Sequence, residues 1–240
     1  MTTDAPHSPG QPRPAPLRPV VVFDLDGTLV DTAPDLIGAL NAILGRENMP
    51  PVRLEDARSL IGGGARKLLE RGLALEGRMV EEPHMSALVA DFIAHYADNI
   101  AHASRPFEGT LDTLDALENA GFALAVCTNK LEWLSLRLLD QLGLSPRFSA
   151  ICGADTFGIA KPAAGGLIKT IQRAGGEIPH AIMIGDSATD IRAARAAGIP
   201  VVAVDFGYTE IPVRELGPDR VISHMRELPD AISALISRAR

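Results

Sequence analysis

A chain of 240 residues, 46% hydrophobic and 22% charged, is long enough to bury a sizeable core and has the balance of an ordinary globular protein. Its formal net charge of -7 argues against nonspecific nucleic-acid binding, which needs clustered Lys and Arg, and an anionic substrate must be drawn by a local site. No apolar run is long enough to span a membrane, and the expected location is the cytoplasm.

The first nineteen residues carry Pro6, Pro9, Pro12, Pro14, Pro16 and Pro19 and lack an apolar stretch of signal-peptide length. They are expected to form a disordered tail with some polyproline II character. Val20-Val21-Val22-Phe23 then reads as a strand buried on both faces, ending in Asp24. From about Thr32 to Arg105 the pattern is helical, with Leu36, Leu40, Ile43 and Leu44 marking one helix and Ala65–Leu75 and Met85–Ala101 two more. The run from Arg105 to Gly109 is expected to be a hinge or linker.

Strands alternate with helices after that. The strands are Ala123–Cys127, Ala150–Cys152, Ala181–Ile184, Val201–Val204 and a short Arg220–Ile222. A helix with Leu111, Leu114 and Leu117 on one face stops at Gly121, and others run over Trp133–Leu142, Leu167–Ala174 and Ala188–Ala197. The expected fold is α/β: a Rossmann-like parallel-sheet core over 20–31 and 106–240, with a small α-helical domain over 32–105 inserted after the first strand. Cys127 and Cys152 lie in apolar stretches and are expected to be buried thiols, and no Cys/His spacing suggests zinc.

Open parallel sheets place their chemistry at strand C-termini. There stand Asp24 and Asp26, then Thr128 and Asn129, then Asp186 and Asp190, with Lys161 in the loop after the third core strand. Asp24 and Asp26 are two residues apart in an extended segment and point to the same side, where mutual repulsion raises one pKa unless a cation intervenes. Asp-Gly is equally a turn signal. Asp186 and Asp190 follow a strand and a glycine, and Asp190 can also favour a helix N-terminus through its charge. With Asp24 and Asp26 they would form an oxygen-rich pocket suited to Mg²⁺. Thr128 and Asn129 suit a phosphate at a helix start, or a simple helix cap.

The order Asp-x-Asp-Gly-Thr, Thr-Asn, Lys-Pro, Gly-Asp-Ser-x-x-x-Asp resembles the haloacid dehalogenase superfamily of phosphotransferases, from Val20 onward. The resemblance implies a nucleophilic Asp24, phosphorylated in turn; Asp26 as acid and base, with its backbone carbonyl on the metal; Thr128 and Lys161 on the phosphoryl group; and Asp186 on Mg²⁺, supported by Asp190. One departure is visible: Lys161-Pro162-Ala163-Ala164 lacks the second Pro of many relatives, which predicts a looser loop. The helical insert is similar to a cap that excludes water and selects the leaving group.

Within the superfamily, Ile61-Gly62-Gly63-Gly64-Ala65, the run Gly185–Ile191 and Phe206-Gly207-Tyr208 are similar to the phosphoglycolate phosphatases. Gly63 and Arg66 would then meet a small carboxylate, unless this is an ordinary turn with solvated basic residues. The partner implied is a small phosphorylated metabolite, met by a monomer or homodimer. Dehalogenases and phosphonoacetaldehyde hydrolases lack the second acid of the first motif, so Asp26 counts against both, although Lys67 in the insert leaves a Schiff base conceivable. Mutase and pyrophosphatase relatives keep Asp26 and stay open. A phospho-receiver would not place Asp-x-Asp at the first strand or carry the helical insert, and the full set of reactive residues counts against an inactive binding protein.

Overall fold

A computed structural model describes residues 18–209 and 211–238, so nearly all of the Pro-rich stretch lies outside the described residues. Six parallel strands form the main sheet in the order β5-β4-β1-β6-β7-β8. They are β1 (Val20–Phe23), β4 (Ala123–Cys127), β5 (Ala150–Cys152), β6 (Ala181–Gly185), β7 (Val201–Val204) and β8 (Arg220–Ile222). Each predicted core strand is present, and β6 extends one residue further, to Gly185.

The sheet is buried on both faces, which is why its strands read as unbroken apolar runs rather than alternating ones. All four residues of β1 are fully buried. Val20 and Val22 pack with Leu167, Ile171 and Ile191 on one face, and Val21 and Phe23 with Leu114, Leu117 and Leu138 on the other. Burying side chains of this size stabilises the fold by about 1.5–3 kcal/mol each. The chain runs from β1 to β4 and β5 on one side, then returns to β6 on the other, so the reversal of strand order falls at the carboxyl end of β1.

The helices α5 (Thr110–Asn119), α6 (Glu132–Gln141), α7 (Ala164–Arg173), α8 (Ala188–Ala197) and α9 (Leu228–Arg238) flank the sheet. The predicted face of α5 is corrected. Leu111 is exposed, and the buried stripe is Thr110, Thr113, Leu114 and Leu117, at the i, i+3, i+4, i+7 spacing of a helix. Thr113 is tolerated inside because its hydroxyl donates to Met225 O at 2.9 Å.

Between β1 and β4 lie α1 (Ala33–Arg46), α2 (Leu54–Ala57), α3 (Ala65–Ala74) and α4 (His84–Asp98). The one-turn α2 has no periodicity to announce it, and α4 stops three residues before the expected Ala101. The apolar core of these helices is continuous with one face of the sheet through Leu36, Leu40 and Leu69. The run expected as a hinge or linker, Arg105–Gly109, opens with a short strand: Arg105–Pro106 (β3) pairs antiparallel with Val30–Asp31 (β2), holding the entry and exit of the insert together. Two-residue strands are too short to show alternation in the sequence.

Asp35 fastens the same junction. Buried in the first turn of α1, it accepts from the backbone N–H groups of Ala103 (2.9 Å) and Ser104 (2.7 Å) and from the Ser104 hydroxyl (2.6 Å). Removing one partner strands the others in a buried place. Asp35→Ala is expected to lower stability by about 2–4 kcal/mol, read as a fall in the urea midpoint at unchanged slope.

Candidate active site

Asp24 sits where β1 ends, its N–H still donating to Ile184 O of the neighbouring strand at 2.8 Å. The chain then turns sharply. Gly27 N–H donates to Val30 O at 3.0 Å, and Val30 N–H donates to Leu25 O at 3.1 Å. Asp-Gly is therefore both a turn and part of the site. Gly27 has φ 83°, and a Cβ there would lie 2.5 Å from Asp186 Oδ2, so only glycine lets the turn press against that carboxylate.

Asp24, Asp186 and Asp190 offer oxygens that all lie within 4.8 Å of one another. Asp186 follows β6 and is held by Tyr208 N–H at 2.6 Å. Asp190 stands in the first turn of α8, where Oδ2 accepts from Ser187 N–H at 3.1 Å, so the helix-start role is real. Its other oxygen accepts from Lys161 Nζ at 2.6 Å. The same Nζ lies 2.9 Å from Asp24 Oδ1. One buried lysine thus pairs with two of the three carboxylates.

The shortage of positive charge shows in the acidities. Burial pushes the Asp24 carboxyl up to about 6 against the pull of Lys161, and Asp190 adds to the rise. Burial, then Asp190 and Asp24, raise Asp186 well above the ordinary carboxylate value. Burial opposes the charge on Lys161, yet Asp190 and Asp24 raise its ammonium above the usual lysine range. A cluster of hard oxygen donors with uncompensated negative charge fits a small divalent cation.

The loop carrying Lys161 is not loose. A Cβ at Gly166, the third residue of α7, would lie 2.4 Å from Ile159 O, so the first turn of the helix packs directly on the loop without the absent proline. Asn129 reinforces it. Its amide donates to Lys161 O at 3.0 Å and its carbonyl accepts from Lys161 N–H at 2.9 Å. The Asn129 side chain is therefore engaged in positioning Lys161, not free for a substrate. Thr128 is also not a helix cap. Helix α6 begins only at Glu132, whose N–H is taken by Asp155 at 2.7 Å, and the Thr128 N–H donates to Cys152 O at 3.0 Å. What Thr128 offers is its hydroxyl, which accepts from Lys130 N–H at 3.2 Å.

The expected convergence of four carboxylates is corrected to three. Asp26 turns its carboxylate away, accepting from Lys130 Nζ at 2.9 Å on both oxygens and from the Thr32 hydroxyl at 2.8 Å. Lys130 is buried, with its ammonium 4.5 Å from the ring centre of Tyr96 on α4. Burial opposes its charge, but Asp26 and Tyr96 raise its pKa.

Above these groups lies a cavity of about 320 Å³ between the strand ends and the insert. Ile61–Arg66 form one wall and Leu68, Val89, Phe92 and Leu134 supply apolar surface, while Lys67 is not among the lining residues. Gly63 and Gly64 have φ of 81° and 92°, and the first turn of α3 behind them has no side-chain cap. Arg66 borders the cavity but is paired with Glu82 and, at 3.6 Å, with Glu70.

The sequence profile of the haloacid dehalogenase-like hydrolases matches residues 21–204. The chain belongs to that family. It is 47% identical to a phosphoglycolate phosphatase of Mesorhizobium japonicum, covering 92% of this chain and 98% of that protein. It is 49% identical to a phosphoglycolate phosphatase of Caulobacter vibrioides, covering 90% and 92%. A crystal structure described as a predicted phosphoglycolate phosphatase from Haemophilus somnus superposes with a TM-score of 0.82 at 29% identity, covering 89% and 97%.

In this hydrolase two contributors were not singled out from sequence. Lys130 directly follows Thr128-Asn129, and its position beside a strand end was the available signal. Tyr208 was noted only within a motif. Its hydroxyl donates to Asp31 Oδ1 at 2.5 Å while its N–H holds Asp186, so it ties the base of the insert to the acid cluster. Among the described residues no helix is long and apolar enough to cross a membrane. Because Gly27 sets the place of Asp186, Gly27→Ala is expected to lower kcat/KM by about 100-fold on any phosphate ester while far-UV circular dichroism is unchanged.

Proposed function

We propose that this phosphatase hydrolyses 2-phosphoglycolate to glycolate and phosphate through an aspartyl-phosphate on Asp24. The observation carrying the reading is the meeting of Asp24, Lys161, Asp186 and Asp190 at the reversal point of the sheet, with Asp26 held apart from them. Relatives 46–49% identical over nine-tenths of the chain, named phosphoglycolate phosphatases, support the choice of ester.

Asp24 is ionised at neutral pH even with its carboxyl raised to about 6, so one oxygen is available to attack phosphorus. The Lys161 ammonium, already 2.9 Å from Asp24, offsets repulsion between the carboxylate and the incoming phosphoryl oxygens. The Thr128 hydroxyl donates to another of those oxygens. Asp26 gives its proton to the departing alkoxide of glycolate and then takes one from the water that opens the aspartyl-phosphate. Asp24, Asp186 and the Asp26 carbonyl would hold Mg²⁺, with Asp190 supporting from behind because both its oxygens are already bonded. When bound, the ion supplies charge stabilisation and orients the phosphate in line with Asp24.

The insert acts as the cap over residues 32–105. The uncapped first turn of α3 and the backbone of Gly62–Gly64 form a concave donor surface that suits the substrate carboxylate, with Arg66 exchanging its glutamate partners for it. An apolar wall leaves little for a polyhydroxylated sugar to bond. Asp26, the second acid of the first motif, counts against a Schiff-base mechanism on Lys67.

The deciding experiment incubates purified protein with Mg²⁺ and a panel of phosphoglycolate, hexose phosphates, pyrophosphate and nucleotides. Phosphoglycolate is expected to be hydrolysed fastest, with no turnover in EDTA and none in Asp24→Asn. A preference for another ester would overturn the substrate, and full activity in EDTA the metal. Arg66→Ala is expected to raise KM for phosphoglycolate about tenfold while that for p-nitrophenyl phosphate changes little, checked by parallel initial-rate curves.

A further inference from the structure

Asp26 lies next to the reacting centre, yet two donors fix its carboxylate through three contacts, and neither belongs to the acid cluster. Thr32 donates to Oδ1 at 2.8 Å, and Lys130 spans both oxygens at 2.9 Å. A two-point grip by an ammonium fixes both the place and the plane of a carboxylate. Lys130 is itself held on three sides. Its backbone N–H donates to the Thr128 hydroxyl, its carbonyl accepts from Ala154 N–H at 2.9 Å, and its ammonium lies under the Tyr96 ring. Gly153 packs directly on this backbone, where a Cβ would lie 2.5 Å from Lys130 O.

Tyr96 comes from the insert, not from the sheet. It is buried against Phe92 and lines the cavity. An aromatic face against a desolvated ammonium is attractive, and Tyr96 supplies that face. The chain of contact therefore runs from helix α4 through Tyr96 and Lys130 to the group placed beside the leaving oxygen.

We infer that Lys130 is a positioning residue that aims the Asp26 carboxyl at the leaving-group oxygen, and that Tyr96 seats it, making proton donation depend on how the insert packs. The inference rests on the reading of Asp26 as the acid that protonates the leaving alkoxide. Proton donation matters for a basic alkoxide such as that of glycolate. It matters little for p-nitrophenolate, which leaves unaided. A displaced acid therefore has a signature that general loss of structure does not share.

The test compares kcat/KM, which reports the steps through the first phosphoryl transfer, on 2-phosphoglycolate and on p-nitrophenyl phosphate. Lys130→Met is expected to lower the first by about 100-fold and the second by less than about threefold. Tyr96→Leu, which leaves the Asp26–Lys130 pair in place, is expected to show the same split at about tenfold. Should Lys130→Met not fold, as judged by circular dichroism, Tyr96→Leu decides alone. Asp26→Asn is run beside them. If Asp26→Asn shows the split and neither Lys130→Met nor Tyr96→Leu does, or if these lower both substrates equally, the role of Lys130 is overturned. If Asp26→Asn itself shows no split, proton donation by Asp26 falls, and this inference with it.

Discussion

Three carboxylates crowded around one buried ammonium are the constraint on which this structure turns. Asp24, Asp186 and Asp190 share a site that water reaches poorly, and Lys161 answers only part of their charge. Such an arrangement is costly for folding, since each buried charge must be matched by partners fixed in place. The surrounding architecture supplies that fixing. Glycines at 27 and 166 permit close backbone approach, Asn129 grips the backbone of Lys161, and Tyr208 and Ser187 hold the outer acids. The hydrophobic sandwich of the sheet provides the stability that such a site consumes.

The two acids of the first motif look alike in sequence and are treated oppositely. Asp24 remains in the sheet register and joins the charge-deficient cluster. Asp26, past the end of β1, has a lysine of its own and belongs as much to the insert as to the sheet.

The sheet was legible because burial on both faces writes each strand as an apolar run with a polar residue at its end, as in Val20–Asp24 and Ala181–Asp186. The acid cluster was legible because strand ends in a parallel sheet converge. Contacts made by side chains reaching between distant segments left no such trace. Lys130 drew no notice although it follows a strand end, and nothing near Tyr96 announced a ring over an ammonium. Thr128 and Asn129 were placed correctly at a strand end, but the extra residues before α6 moved the helix start out of their reach. The ribbon of β2 and β3 was invisible because two residues cannot display a period.

That ribbon has a consequence beyond holding a junction. Because Val30–Asp31 and Arg105–Pro106 run side by side, the sheet meets the insert as a single closed port, and the chain between can change length or content at small entropic cost. The port is not the only tie, because the apolar core of the insert is continuous with one face of the sheet. A change within the insert that moves Tyr96 also moves the ring seated over the Lys130 ammonium.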